Sequence, residues 1–446
     1  MITWKRASAE FRHGVHPREY KHLTEKRPLR RLPFPDEVVI PLRQHTGRPA
    51  RPIVKRGDRV VRGDKIAEAQ GYISAPMHAS VSGRVTDICQ WPHPDGSTAL
   101  AVRIQADRYS PQVSRTRRIP DWRTLSPREI AAVVQNAGLV GLGGAAFPTH
   151  VKLIPPEGRK AEVILVNGAE CEPFLTTDHR TMLEYPERVY LGLRIMMHAL
   201  GVQRAVIGVE ENKPDAIQVL KAGKPADLDV TVQPLKVKYP QGAEKMLIRT
   251  VMGVEVPSGE LPISVGAVVQ NVGSVATIGE IFETGMPLVE RVVTVTGHGI
   301  RKPANLIVPI GTKLEFLLDS CGGLTDDAAE VIFGGPMMGA AQADVSVPVL
   351  KGTTGVVVLT KNEVTAADSY PCIGCGRCLE ACPTFLNPSL MASFARVARY
   401  EDMEEARLAD CILCGSCAYV CPSNIPLAQL FLVSKAALQK RKVQAA

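Results

Sequence analysis

The stretch that most constrains this chain runs from Cys372 to Pro422. It reads Cys372-Ile-Gly-Cys375-Gly-Arg-Cys378-Leu-Glu-Ala-Cys382-Pro383 and then, with 28 residues between Cys382 and Cys411, Cys411-Ile-Leu-Cys414-Gly-Ser-Cys417-Ala-Tyr-Val-Cys421-Pro422. Two successive C-x2-C-x2-C-x3-C-P runs hold two 4Fe-4S cubanes, and few local patterns are as restrictive. A spacing of two lets neighbouring thiolates face one cube. The small Gly374, Gly376, Gly415 and Ser416 keep each loop tight, and the proline after each fourth cysteine turns the chain away. Paired zinc sites are the competing reading, but zinc usually asks for separated C-x2-C pairs or histidine. Two identical cysteine quartets fit that poorly, so the chain is expected to carry one-electron centres.

Its 446 residues are too many for one core and suggest three or four domains. A hydrophobic content of 45% with 22% charge is ordinary for a globular protein. Of eleven cysteines the two runs use eight, leaving Cys89, Cys171 and Cys321 without a pairing pattern. Cluster thiolates need a reducing compartment, which points to the cytoplasm. The N-terminal residues lack an apolar h-region, and no uncharged apolar run reaches the roughly 18 residues of a membrane span, so other proteins of a complex would have to hold this one at a membrane. Residues 1–31 carry nine Lys and Arg against three Asp and Glu, which is +6 of the net +8. Such a basic arm suits anionic lipid, an acidic partner or plain solvent. Nucleic acid is not expected as a partner, since no recognition motif accompanies the charge.

Between Glu37 and Ala106 the chain reads as short β-type runs broken by Gly57-Asp58, Gly63-Asp64 and Pro76, with Val81-Ser-Gly83-Arg-Val85 giving a further strand pair. This predicts a small β-sandwich. It resembles the biotinyl/lipoyl barrel-sandwich hybrid, except that Glu68-Ala69-Gln70-Gly71 stands where that family carries a modifiable lysine. Docking or structure is therefore expected of it, without a swinging arm. A connector over 109–123 follows, and Ser126-Pro127-Arg128-Glu129 reads as a capping box opening a helix whose apolar face holds Ile130, Val133, Val134 and Ala137, with Gly138 as its stop.

Gly141-Leu142-Gly143-Gly144-Ala145-Ala146-Phe147-Pro148-Thr149 is a glycine loop whose backbone N–H groups can approach a phosphate. By itself a glycine loop is more often a plain turn. Here a strand over Val163 to Val166 runs into Asn167-Gly168-Ala169-Glu170-Cys171-Glu172-Pro173, and a later strand ends at Tyr239-Pro240-Gln241-Gly242-Ala243-Glu244 before another helix. Strands ending in such loops at one sheet edge are where α/β sheets bind nucleotides.

These loops, with Gln270-Asn271-Val272, resemble the flavin- and NADH-binding subunit of respiratory complex I. The resemblance implies that Gly141, Gly143, Gly144 and Lys152 lie near an FMN phosphate. It places Asn167, Glu170, Tyr239, Gly242, Glu244 and Asn271 around the isoalloxazine and ribityl parts, and Phe147 and Glu172 against NADH. Leu142, Ala169 and Ala243 depart from that family, where an arginine, an acidic residue and a glutamate stand. Further on, Val292 to Gly297 and Ile300 to Thr312 look like a soluble-ligand-binding β-grasp module continuing to Cys321-Gly322-Gly323, expected as a spacer between flavin and clusters. Met337 and Met338 are expected as buried packing.

The cysteine runs themselves resemble bacterial ferredoxins. That pattern implies crossed ligation: Cys372, Cys375, Cys378 and Cys421 for one cubane, and Cys382, Cys411, Cys414 and Cys417 for the other. Taken together the chain resembles the C-subunit family of Rnf/Rsx ion-translocating membrane electron-transport complexes, as do Phe11-Arg-His-Gly14-Val-His16-Pro17 and Pro41-Leu-Arg-Gln-His45-Thr-Gly47. The expected fold is multidomain α/β. A basic arm plus barrel-sandwich hybrid occupies 1–110, a complex I-like FMN/NADH α/β domain 124–288, the β-grasp 289–330, connecting strands 331–365, and an α-helical double-ferredoxin domain 366–446. The family implies a peripheral subunit on the cytoplasmic face of the inner membrane, partnered by integral-membrane and iron–sulfur subunits and indirectly by ferredoxin. It would pass electrons between NADH, non-covalent FMN and two 4Fe-4S clusters. No acid–base residue is needed for a hydride step, so no catalytic side chain is named. A flavin-free electron-transfer subunit and a soluble flavin/iron–sulfur cobalamin reductase are the alternatives.

Overall fold

A computed structural model describes residues 10–114, 116, 119–364 and 368–445. The barrel-sandwich forms as expected. One antiparallel sheet runs in the order Glu37–Pro41, Thr98–Ala106, Gly83–Pro92, Arg59–Val60, and a second in the order Arg51–Pro52, Lys65–Glu68, Met77–His78. Val38, Ile40, Ile66, Val85, Val102 and Ile104 fill the space between them. Its two Gly–Asp turns are the same device used twice. Gly57 and Gly63 sit at φ 96° and 93°, and the following carboxylates, Asp58 and Asp64, accept from the backbone N–H three residues back, at Lys55 and Val61.

The next domain is a four-stranded parallel sheet ordered Val230–Leu235, Ala205–Glu210, Val163–Gly168, Ala267–Asn271, with helices on both faces. The helix Pro127–Asn136 has its full capping box, buries Ile130, Ala131 and Val134, and is followed by Gly138 at φ 71°. Numbered along the chain the strand order is 3-2-1-4, so the topology reverses between Val163–Gly168 and Ala267–Asn271. A crevice opens at the carboxyl ends of strands at such a point. The strand expected to end at Tyr239 stops at Leu235; Tyr239 instead bridges to Val15 in the loop beyond.

The β-grasp is larger than the sequence suggested. A six-stranded sheet is ordered Leu29–Arg31, Ala304–Pro309, Glu290–Thr296, Gly355–Thr360, Ala328–Phe333, Ala340–Ala341, so the strands expected as connectors belong to the same sheet. Its outer strand comes from the far N-terminus. The basic arm, over its described residues 10–31, is packed down rather than free, and residues 1–9 lie outside the described part. Phe11 and Val15 are buried, and Arg31 pairs with Glu290. Lys21 is 6% exposed and donates to the carbonyls of Glu170, Glu172 and Leu175 at 2.8–2.9 Å. Three acceptors make that buried ammonium tolerable and fix the loop they belong to.

The cysteine domain is helical. Arg377–Ala381 and Ser416–Tyr419 lie within the two runs, each carrying its run's third cysteine and each entered through a glycine in the left-handed region, Gly376 at φ 76° and Gly415 at φ 77°. Pro388–Arg396, Tyr400–Glu405 and Leu427–Ala445 close around Met391, Met403, Leu408, Ile425 and Phe431. Among the described residues no helix is long and apolar enough to cross a membrane.

Candidate flavin, nucleotide and cluster sites

The reversal in strand order sets the site. Asn167 and Asn271 are direct partners at the carboxyl ends of the two strands that flank it. Asn271 caps the helix Val272–Thr284, its Oδ1 accepting from Gly273 and Ser274, while its Nδ2 donates to Asp178 at 2.7 Å. Asn167 donates to the Gly242 carbonyl at 2.8 Å and accepts from Ala169 N, tying two loops together. The close approach explains Gly242, where a Cβ would lie 2.3 Å from the Ala169 oxygen.

Above these strand ends lies a cleft of about 930 Å³. All twelve residues singled out for flavin and nucleotide line it: Gly141, Gly143, Gly144, Phe147, Lys152, Asn167, Glu170, Glu172, Tyr239, Gly242, Glu244 and Asn271. Gly144 has φ 102° and open space where a Cβ would stand, so the loop presents bare backbone to the cleft. Lys152 reaches the cleft paired with Glu244 Oε1 at 2.6 Å and bonded to the Val269 carbonyl at 3.0 Å. Glu170 works differently from the expectation of a flavin contact. Its carboxylate accepts from Thr177 Oγ1, Asp178 N and His179 N, filling the start of the helix Thr177–Glu184 and locking the loop.

Two buried polar atoms on residues that line the cleft, Gln270 Nε2 and Glu172 Oε1, lack hydrogen-bond partners among the described residues. Burial without a partner is costly, so such atoms suit a bound polar ring or amide. The other Glu172 oxygen accepts from Met337 N at 3.1 Å, and desolvation pushes its carboxyl up to about 7. Asp178, which no sequence motif singles out, is likewise pushed up to about 7, by desolvation and then by the nearby Glu170 charge. Its signal was only a Thr-Thr-Asp helix start, which is common. A backbone cradle beside Lys152, an amide donor on Gln270 and the raised carboxyls of Glu172 and Asp178 fit a flavin phosphate, its ring edge and a nucleotide.

Other domains supply the rest of the enclosure. Arg43, His45, Thr46, His93 and Asp95 bring the barrel-sandwich to the rim, where Thr46 N donates to the Ala146 carbonyl at 3.3 Å. Phe333, Gly334, Gly335 and Thr353 make the β-grasp a wall of the cleft rather than a spacer. Arg291 of that module, 6% exposed, donates to the carbonyls of Leu142 and Thr353 and so braces the glycine loop where the complex I pattern has its own arginine. Met338 is 58% exposed at the cleft, correcting its expected burial; Met337 is partly buried beside Val15 and Tyr239.

Ile412 and Cys414 complete the lining from the cysteine domain. Beneath them Cys382, Cys411, Cys414 and Cys417 ring a small void with Leu386, Met391 and Phe431. Cys382 of the first run thus stands with three thiols of the second, as a crossed cubane requires. No three His, Cys, Asp or Glu side chains converge on a single-ion position among the described residues. A cube spaces its ligands more widely than one ion does, so the ring of thiols suits an iron–sulfur cluster. Cys372 and Cys375 are exposed, Cys378 is half-buried near both, and Cys421 packs against the same core as Cys378.

Comparison with known proteins places names on these parts. Residues 9–109 match the RnfC barrel sandwich hybrid domain, 134–280 the Nuo51 FMN-binding domain, 292–341 the SLBB domain and 368–425 the 4Fe-4S dicluster domain. The chain is 45% identical over 395 residues to the C subunit of the proton-translocating ferredoxin:NAD(+) oxidoreductase complex of Clostridium ljungdahlii, covering 89% of this chain and 86% of that one. It is 42% identical to the Na(+)-translocating counterpart of Acetobacterium woodii, over 90% of each chain. With the C subunit of the ion-translocating oxidoreductase complex of Rhodobacter capsulatus it shares 41% over 98% of this chain and 84% of the other. A chain of an NAD+-reducing [NiFe]-hydrogenase has a similar fold, with TM-score 0.50 and 19% identity over 64% of this chain and 54% of that one, so this chain spans about half its length.

Proposed function

Because the chain belongs to the C-subunit family of ion-translocating ferredoxin:NAD(+) oxidoreductase complexes, we propose that it is the subunit at which NADH meets the complex. It would lie peripherally on the cytoplasmic face of the membrane, with the other subunits and, through them, ferredoxin as partners. The observation that carries the reading is the convergence of all twelve motif residues on one cleft that also touches Cys414.

The chemistry that FMN supplies when bound is conversion between the two-electron hydride of NADH and the one-electron steps of cubanes. This chain's residues would hold and orient it. Gly141, Gly143 and Gly144 offer backbone donors to the phosphate, with Lys152 as the nearby cation held by Glu244. Asn167, Gly242 and Asn271 fix the floor, Tyr239 closes the side toward Cys414, and Glu170 holds the loop that bears Glu172. Phe147 and Glu172 would face the nicotinamide. Cys382, Cys411, Cys414 and Cys417 would hold the inner cubane and Cys372, Cys375, Cys378 and Cys421 the outer one. Domain limits of 1–110, 124–288, 289–330, 331–365 and 366–446 go with this division, the fourth segment sharing its sheet with the third.

Anaerobic purification with flavin and iron analysis tests the reading. One FMN and about eight irons per chain, with cluster absorbance bleached by NADH, are expected for two four-iron cubanes. Full iron without flavin, and clusters unreactive to NADH, would leave a pure electron-transfer subunit instead.

A further inference from the structure

In the N-terminal segment Lys21 and Arg31 are engaged by partners within the fold, which takes these two charges out of any electrostatic attachment to a membrane. Positive charge reappears on the barrel-sandwich. Lys55, Arg56 and Arg59 are exposed on the run joining the edge strands Arg51–Pro52 and Arg59–Val60, which border the two sheets. Arg84 is the direct cross-strand partner of Arg59, so the two guanidinium groups share one face. Like charges directly opposite are destabilising unless an anion lies between them. None of these four has a carboxylate partner among the described residues. The one acid within the turn, Asp58, is bound to Lys55 N, and the neighbouring Arg51 has only a long contact of 3.6 Å to Glu68.

One apolar group stands among these cations, and an aromatic lies beyond the strand on the other side of Arg84. Ile53 is 46% exposed in the same run, and Tyr109, three residues past the strand that pairs with Arg84, is 99% exposed. An edge guarded only against strand pairing needs charge but no exposed aromatic. Cations mixed with a tyrosine and an isoleucine match the boundary of an anionic bilayer, where guanidinium and ammonium groups meet lipid phosphates and the aromatic ring sits at headgroup level. We infer that the barrel-sandwich edge formed by Ile53, Lys55, Arg56, Arg59, Arg84 and Tyr109 is a docking surface for anionic phospholipid. The modified-lysine function that the fold's relatives have is absent here, and this surface gives the domain a role that the flavin site leaves unassigned. The inference takes from the family assignment only that a membrane is present, so its failure would leave the NADH reading intact.

The test is co-sedimentation of the full chain with vesicles of phosphatidylcholine alone or with about 30% phosphatidylglycerol. Binding is expected only to the anionic vesicles and is expected to fall steeply between low and high salt. Lys55→Glu/Arg56→Glu/Arg59→Glu should weaken it on the order of a hundredfold, at about fivefold per lost cation, and Ile53→Ser/Tyr109→Ser should weaken it further. Lys221→Glu/Lys224→Glu/Lys302→Glu, equal in charge but elsewhere, should bind nearly as wild type. Flavin and iron content report the fold of each variant. Equal losses in both triple variants would reduce the effect to net charge and overturn the inference. Wild type that ignored the anionic vesicles would overturn it outright, and loss of the membrane subunits by the Lys55/Arg56/Arg59 variant would then make this edge a protein contact.

Discussion

The hydroxyl of Tyr239 donates to the backbone carbonyl of Cys414 at 2.7 Å, joining the side of the cleft to the second cysteine run across 175 residues of chain. Tyr239 is 1% exposed, and burial pushes its phenol well above the usual range, so it is a neutral donor at every working pH. Val15 pairs with Tyr239 through the backbone, Gly14 N donates to the Ala381 carbonyl, and His13 lies against Phe385. The N-terminal segment thus holds the end of the first cysteine run and Tyr239 the second, each against the cleft.

Tyr239→Phe keeps the ring and strands one buried carbonyl. It should cost about 1–3 kcal/mol of stability, read as a lower urea midpoint, while iron content stays at wild-type level because a carbonyl is not a cluster ligand. Unchanged stability would mean that the bond is solvated and idle.

Crossed ligation makes a pairwise prediction. Cys382→Ala should disturb the cubane of Cys411, Cys414 and Cys417, whose void Cys382 lines, whereas Cys421→Ala should disturb that of Cys372, Cys375 and Cys378. Electron paramagnetic resonance of the reduced protein distinguishes the two centres. Each variant damaging the cluster of its own run would overturn the assignment.

Glu172 gives a pH dependence. Its folded pKa of about 7 lies above the ordinary 4.5, so between those values the native state holds more protons than the unfolded one. Stability contributed by the protonated carboxyl is therefore full at low pH and lost as pH rises through about 7. Glu172→Gln keeps an acceptor for Met337 N without the titration. Wild type should lose up to about 3 kcal/mol relative to the variant between about pH 5 and 8, measured by urea unfolding of flavin-free protein. Parallel curves would show that Glu172 ionises freely.

What could be read in the sequence was what is local in the chain. The cysteine runs, the capping box at Ser126 and the glycine loop each carry their signal within a dozen residues, and each stands where its motif put it. The walls of the cleft were hidden because they depend on contacts between distant segments. Arg291 braces Leu142 from 149 residues away, and Lys21 organises the Glu170 loop from 149 residues before it. A basic N-terminus reads as an arm for lipid, an acidic partner or solvent because nothing in its composition foretells three carbonyls waiting for one ammonium. The connectors over 331–365 were missed for a related reason: a strand's sheet is chosen by its neighbours, and Gly355–Thr360 pairs with Glu290–Thr296 across a long excursion.

Gly144 offers the sharpest test of the cleft. Its φ of 102° is one that side-chain-bearing residues rarely adopt, which sets a cost of about 1–3 kcal/mol for any substitution. A Cβ there meets nothing within 4 Å, so the fold can accept it and the new side chain enters the cleft. In Gly144→Asp the carboxylate then opposes a phosphate in a poorly screened site, and flavin content should fall at least about tenfold. Gly144→Ala, which adds strain without charge, should fall between. Both cubanes should survive in each variant, since their ligands lie in the separate helical domain. Flavin and iron lost together would mark the loop as a structural turn. Wild-type flavin in a folded Gly144→Asp protein would remove this loop from the phosphate site.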